Sequence, residues 1–215
     1  MRELTKPQRK SAYHHGDLRD ALVDATRKII EEEGVEQFTL RESARRAGVS
    51  HGAPAHHFGD KTGLLTEVAV QSFEERLALS EAYMAQASDD PMDRLRACGM
   101  AHIEYAIAHP RLTELCWRAG VVDRESPGLQ NVMQRMSDNL ISSMSAVTGQ
   151  AMKPEKEANP QTLLALAVVH GFASLVNERV ILKDVPDAER TQRALELAQQ
   201  MLELLEAAFK AGPKT

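Results

Sequence analysis

The sequence predicts an all-α protein of about nine helices. Apolar residues recur at helical spacing along most of its 215 residues, as in the series Leu18, Leu22, Ala25 and Ile29. No segment keeps the alternating pattern of a β-strand. Glycine and proline divide the chain into segments of helical length, so each segment can be assigned in order.

The first 16 residues predict a flexible basic arm. They contain Pro7 and the cations Arg2, Lys6, Arg9 and Lys10, without an apolar period. The first helix follows from Asp17 and ends at Gly34.

Residues 39–65 predict a helix-turn-helix. Thr39 is a good N-cap for the first short helix, and Gly48 supplies a tight, left-handed corner. Ser50 is expected to cap the second short helix. Pro54 lacks an N–H and biases Ala53 away from the α region, so this second helix should start late. A small exposed helix of this kind fits a DNA major groove.

A long fourth helix is predicted from Lys61 to Gln86, with Asp60 as its N-cap. A lysine and free N–H groups at a helix start can bind one phosphate. A fifth helix is expected from Pro91, a sixth from Pro110 through Trp117, and a seventh from Ser126-Pro127. After a polar loop at 149–160, an eighth helix is expected over residues 161–182. The ninth is expected from Pro186 or Asp187 to Gly212-Pro213.

Composition and charge narrow the functional classes. The net charge is −5, but residues 1–65 hold 11 Lys+Arg and 10 Asp+Glu, against 15 and 21 in the remainder. No run reaches the length of a membrane span and the N-terminus has no hydrophobic signal, so a cytoplasmic protein is expected. Cys98 and Cys116 have no metal-ligand spacing and are expected to be reduced and buried.

At this point the chain resembles a known family. Phe38-Thr39, Ala44, Ala47-Gly48-Val49-Ser50, His57-Phe58, Lys61 and Leu64-Leu65 are similar to the N-terminal domain of TetR-type (tetracycline-repressor-like) transcriptional regulators. Two positions depart from the family pattern. Ser43 replaces an aliphatic residue, and Ala55 replaces an aromatic residue, often a tyrosine that touches a phosphate.

The resemblance implies a DNA-binding domain over 17–65 and a ligand-binding and dimerisation domain over 66–215. It implies a homodimeric regulator, a repressor released from a palindromic double-stranded DNA operator by a small-molecule effector. The expected DNA-contacting residues are Thr39, Arg41, Ser50, His51, Gly52, Ala53, Ala55, His57 and Lys61. Arg45 and Arg46 either contact phosphate or only solvate the outer face of their helix.

The resemblance also implies that the last two helices, 161–182 and 188–209, form the dimer interface. Residues 163–176 are apolar around most of the helix, and one chain cannot cover all of that surface. His170-Gly171 with Leu175 resembles a motif of one subgroup, in which a tryptophan stands at the position of Val169.

An effector cavity bordered by helices five to eight is expected, for a largely apolar ligand. Its candidate lining is His102, Tyr105, Cys116, Trp117, Met133, Met136 and His170. A solid core is the alternative, since methionines and aromatic residues at helical spacing also pack plain cores.

No metal, cofactor or catalytic centre is expected. The histidines near the N-terminus lack zinc-ligand spacing, and the chain has no GxSxG, glycine-rich phosphate loop or paired carboxylates. The protein is therefore expected not to be an enzyme. The alternative hypothesis is a helical small-molecule-binding protein or enzyme with a vestigial helix-turn-helix.

Overall fold

The structure is a computed structural model that describes residues 15–149 and 160–211. These residues form nine helices and no strand, which confirms the predicted all-α class. The chain divides into two compact units, one ending at Leu64 and the other beginning at Leu65. The functional assignment of residues 17–65 and 66–215 stays a prediction.

The first unit contains three complete helices and the start of a fourth. Its helices are α1 (His15–Glu33), α2 (Leu40–Ala47), α3 (Ala53–Phe58) and the first turn of α4 (Lys61–Gln86). Helix α1 packs against α2, and α2 packs against α3. Helix α1 begins two residues before the predicted Asp17, and the predicted arm lies almost entirely outside the described residues.

Apolar side chains from all four helices and the α1–α2 connection form the core of this unit. The fully buried members include Leu22, Ile29, Phe38, Ala44 and Leu64. Leu22 and Ile29 belong to the apolar series that recurs at helical spacing in the sequence. The sequence pattern therefore predicted correctly which face of α1 is buried.

The second unit is built around α5. Its helices are the remainder of α4, α5 (Pro91–Ala108), α6 (Pro110–Trp117), α7 (Pro127–Thr148), α8 (Pro160–Asn177) and α9 (Asp187–Ala211). Helix α5 contacts α6, α7, α8 and α9. Met100 and Ile103 of α5 pack with Val169 of α8 and with Ala198 and Leu202 of α9.

Helix α8 ends earlier than predicted. The sequence pattern extended it to Leu182, but the helix stops at Asn177. Arg179 takes a left-handed conformation with φ 57°, and the Val180 N–H donates to the Leu175 carbonyl at 3.0 Å. This is a Schellman-type helix end, in which the backbone N–H that follows the left-handed residue donates back to a carbonyl of the last helical turn. The prediction was wrong because no glycine marks the turn.

Candidate DNA interface and ligand cavity

The turn between α2 and α3 has the predicted geometry. The Thr39 hydroxyl accepts a hydrogen bond from the Glu42 N–H at 3.1 Å, which caps α2. Gly48 lies in the left-handed region with φ 69° and ψ 28°, where a side chain would be strained. The Val49 N–H then donates to the Ala44 carbonyl at 3.0 Å, which closes the end of α2.

The predicted cap of α3 was wrong, although its late start is confirmed. Gly52 is the N-cap of α3 and makes no side-chain hydrogen bond. Ser50 contributes only its carbonyl, which accepts from the Ala53 N–H at 3.0 Å. Pro54 lies in the first turn, where its missing N–H has no consequence. The result is a helix of only six residues, Ala53–Phe58.

A hydroxyl pair explains the departure from the family pattern at Ser43. Its side chain is fully buried, and its Oγ lies 2.7 Å from Oγ1 of Thr26, which is also fully buried. Each hydroxyl also lies within hydrogen-bond distance of the Leu22 carbonyl oxygen, at 3.2 Å from Ser43 and 2.8 Å from Thr26, so one hydroxyl donates to the carbonyl and the other donates to that hydroxyl. A buried polar group costs little when it is hydrogen-bonded. Thr26 therefore supplies the partner that makes serine acceptable between α1 and α2.

Most of the predicted DNA-contacting residues are exposed. The exposed set is Thr39, Arg41, Ser50, His51, Gly52, Ala55 and Lys61. His57 is half-buried, and its ring meets the ring of His56 edge to face at 5.1 Å between centroids. Ala53 is buried in the first unit, so only its backbone is left for a contact with DNA.

Arg45 and Arg46 are held by carboxylates of their own unit. Arg45 forms a bidentate pair with Glu42, at 2.8 and 2.6 Å. Arg46 is half-buried and joins Glu42 of α2 to Glu32 and Glu33 of α1. Hydrogen bonds from Arg45 and then Arg46 lower the pKa of Glu42 to about 2. Arg46 therefore belongs to the joint between α1 and α2, and Arg45 pairs within α2, whereas Arg41 forms no such pair with a described carboxylate.

The start of α4 is shaped by Asp60 and Gly63. Asp60 Oδ1 accepts from the Gly63 N–H at 2.8 Å, which confirms the predicted N-cap. Lys61 is exposed, with its Nζ 5.4 Å from the centre of the Phe38 ring. A Cβ on Gly63 would lie 2.0 Å from the Phe58 carbonyl oxygen. The glycine therefore allows the end of α3 to approach α4 closely.

The second unit contains a cavity of about 340 Å³. Helices α4 to α9 all contribute to it, so the predicted border of helices five to eight was too narrow. Four of the predicted lining residues reach it: His102, Trp117, Met133 and Met136. Such a volume lies near the lower end of the range for small-molecule sites, roughly 300–1,000 Å³.

Three predicted lining residues do not reach the cavity. The Tyr105 hydroxyl donates to Glu75 at 3.2 Å, and the Cys116 carbonyl accepts from Arg124. The His170 ring stacks edge to face with both His102 and Trp117, at 5.9 and 5.7 Å between centroids. His170 therefore supports two lining residues without lining the cavity itself.

Sequence reasoning missed Arg76, which also lines the cavity. Its side chain is buried, with the guanidinium carbon 4.8 Å from the centre of the Phe73 ring and 5.9 Å from that of Trp117. Burial lowers the pKa of Arg76 to about 10, which still leaves it protonated at neutral pH. The helical spacing from Phe73 to Leu77 and Ser80 places Arg76 on the inward face, and this signal was available in the sequence.

His102 lines the cavity beside Arg76 and forms a hydrogen bond with it. Arg76 Nη1 lies 3.3 Å from His102 Nδ1, and since arginine can only donate, Nδ1 is the acceptor. Burial, and then the charge of Arg76 and the proximity of His170, lower the pKa of His102 to about 3. The ring is therefore neutral, with its proton on Nε2.

Two family profiles match the chain. The family described as "Bacterial regulatory proteins, tetR family" matches residues 22–68. The family described as "Tetracyclin repressor-like, C-terminal domain" matches residues 95–198. The two matches cover the helix-turn-helix and most of the helices around the cavity.

Individual proteins agree with these profiles. The "HTH-type transcriptional regulator BetI" of Burkholderia thailandensis is 29% identical over 190 residues, which is 87% of this chain and 92% of that protein. The protein of the same name from Stenotrophomonas maltophilia is 43% identical, but over only 37% of this chain and 40% of its own length.

Solved structures show the same fold. A protein with unknown function from Rhodococcus sp. RHA1 is 28% identical with a TM-score of 0.63, over 89% of this chain and 98% of that one. The TetR family transcriptional regulator PfmR from Thermus thermophilus is 20% identical with a TM-score of 0.62, over 87% and 94%. With its helix-turn-helix on α2 and α3 and its helical body, the chain belongs to the TetR family of bacterial transcriptional regulators.

Proposed function

We propose that this protein is a homodimeric repressor that leaves a palindromic operator when a small molecule occupies its cavity. The observation that carries the proposal is the presence, in one chain, of a helix-turn-helix and a mainly apolar cavity of about 340 Å³ in the other unit. A ligand that binds one conformation of the body better than another shifts the population of DNA-competent dimers.

The exposed face of α2 and α3 is the proposed DNA contact. Arg41, His51 and His57 would meet base edges or nearby phosphates, together with the neighbouring Thr39, Ser50, Gly52, Ala55 and the Ala53 backbone. Lys61 and the N–H groups at the start of α4 would hold one phosphate. Because Arg45 and Arg46 are paired with carboxylates, Arg41 and Lys61 carry the cationic character of this face.

The outer faces of α8 and α9 are the proposed dimer interface. Among the described residues, five of the six large apolar side chains that are exposed lie between positions 163 and 204: Leu163, Leu164, Leu175, Val180 and Leu204. Leu164, Gly171 and Leu175 share one face of α8, and nothing lies within 4 Å of where a Gly171 Cβ would be. A bare backbone on an apolar face allows another helix to approach closely.

Helix α8 is also the one described helix with the length and composition of a membrane span, so the expectation that no run reaches that length was wrong. It packs against α5 and α9, and pairing with a second copy would cover its outer face. We therefore propose a cytoplasmic dimer, in which α8 is a core helix of the assembly.

Leu175→Asp tests the dimer. Leu175 is 42% exposed in the single chain, so an aspartate there is tolerated by the monomer but desolvated in the interface. We expect wild-type dimers and L175D monomers at micromolar concentration by sedimentation. A78D, which adds the same charge to an exposed position on α4, is the control and should stay dimeric.

Val176 is unsuitable for this test, although it lies within the predicted interface helix over 161–182. It is 1% exposed in the single chain, so an aspartate there would disrupt the core of the protomer. A folded wild-type monomer would contradict the proposed interface.

DNA binding is tested with the DNA upstream of the protein's own gene. Nuclease protection should reveal a site with two similar half-sites about 34 Å apart, as two reading helices on one face of the duplex require. Binding should weaken steeply as salt concentration rises. If no DNA is bound specifically while the cavity binds ligand, the helix-turn-helix is vestigial and the repressor proposal is wrong.

A further inference from the structure

The cavity contains a buried positive charge that no carboxylate of the described residues neutralises. Arg76 is 7% exposed, and no carboxylate in the described part of the chain pairs with it. Its two hydrogen bonds go to a ring nitrogen of His102 and, at 3.4 Å, to the Met136 sulfur. Its Nε has no partner among the described residues. Buried arginines are normally paired, so this guanidinium is under-satisfied.

The neighbouring polar groups add donors rather than acceptors. Since His102 accepts from Arg76 through Nδ1, its proton is on Nε2, and that N–H also lacks a described partner. The rings of Phe73 and Trp117 lie against the guanidinium and stabilise a cation without neutralising it. This corner of the cavity therefore lacks a strong acceptor that carries negative charge.

The rest of the lining favours an apolar body with one polar end. No aspartate or glutamate of the described ranges lines the cavity, and most of the lining residues are aliphatic, aromatic or sulfur-containing. Its remaining polar side chains are neutral: Ser80, Ser137, Asn139 and Thr162. A cationic ligand would meet Arg76 with no anion to offset the repulsion, and a ligand of several charges would leave most of them unpaired.

We infer that the cavity takes an organic monoanion, a carboxylate on an apolar body, and that Arg76 binds its charged end. The inference rests on the proposed function only in taking the bound molecule to be the effector. It refines the sequence-based expectation of a largely apolar effector, because it adds one negative charge at a defined place. A guanidinium presents parallel N–H groups that match the two oxygens of a carboxylate.

Trp117 provides the measurement. It is the only tryptophan of the chain and lines the cavity beside Arg76, so its fluorescence reports on occupancy. The probes are straight-chain carboxylates from hexanoate to dodecanoate, each compared with the amide and the alkylammonium of the same chain length. We expect saturable binding of at least one carboxylate, with its amide weaker by roughly 10- to 100-fold, the value of a charge-assisted hydrogen bond, and its ammonium weaker still.

Arg76→Gln and Arg76→Met test the residue itself. Each should weaken the carboxylate by roughly 10- to 100-fold and leave the amide within about threefold, so that the preference for charge disappears. Arg94→Gln is the control, because it removes an exposed cation from α5 of the same unit. Equal binding of carboxylate and amide by the wild type across the whole series, or an unchanged preference in both Arg76 variants, would overturn the inference.

The ligand result is separable from the proposed function. If a carboxylate binds through Arg76 but does not release the operator, the anion site stands and the effector role fails. If the operator is released only by uncharged or cationic compounds, the effector role stands and the anion site fails.

Discussion

His102 should make the stability of this protein depend on pH. Burial, reinforced by Arg76 and His170, lowers its pKa from 6.5 to about 3. Between these two values the unfolded chain binds a proton at this position and the folded chain does not. Acid therefore favours unfolding. The contribution of His102 is fully present above about pH 6.5 and is lost as the pH falls toward about 3.

The perturbation is His102→Asn. An asparagine oxygen can replace Nδ1 as the acceptor for Arg76 but does not titrate. Each pH unit between the two pKa values changes the free energy of unfolding by about 1.4 kcal/mol. About one pH unit of the range from about pH 7.5 to about pH 5.5 lies below the unfolded pKa of 6.5. Over this range the free energy of unfolding of the wild type should therefore fall by about 1.4 kcal/mol more than that of H102N.

Urea unfolding at several pH values, at one protein concentration, measures this difference. A difference in the free energy of unfolding that is the same at every pH reflects packing and does not test the prediction. The informative quantity is the gap between the curves, which should change by about 1.4 kcal/mol over this range. The control is H51N, which removes an exposed histidine of the first unit. Parallel curves for wild type and H102N would refute the buried neutral histidine, and with it the assignment of Nδ1 as acceptor.

Two further predictions concern the first unit. Lys61→Ala should weaken binding to all DNA sequences about equally and lower the slope of log K against log salt by about one, in binding assays over a salt series. An unchanged slope would remove Lys61 from the phosphate contacts. Gly63→Ala should destabilise the unit by about 1–3 kcal/mol, because its Cβ meets the Phe58 carbonyl, a backbone group that cannot rotate away. A melting temperature and operator affinity equal to wild type would show that α3 and α4 separate without cost.

Several elements could be predicted because their causes lie within one or two turns of chain. The bounds of α4, Lys61 to Gln86, follow from the Asp60 cap and the apolar period. The start of α5 at Pro91 follows from the Asp90 cap and from the tolerance of proline in a first turn. Gly48 marks the corner of the helix-turn-helix, since only glycine adopts that conformation without strain.

Other features depend on residues far apart in the sequence. The left-handed Arg179 that ends α8 has no signal in the local sequence, because arginine has no preference for that conformation, and its side chain pairs with Asp187 at the start of α9. Ser43 resembles a defect in an apolar stripe until α1 brings Thr26 within 2.7 Å. Arg46 resembles a solvated surface residue until α1 supplies Glu32 and Glu33.

The cavity shows the same division most clearly. The sequence by itself determined the all-α class, the helix-turn-helix and the inward faces that carry His102, Trp117, Met133 and Met136. Only the tertiary structure decided that Arg76 joins them without a carboxylate partner among the described residues, and that Tyr105, Cys116 and His170 are not among the lining residues. A helical period states which face a residue occupies. The partner of a buried charge is set by the helices that pack over that face, and these come from distant parts of the chain.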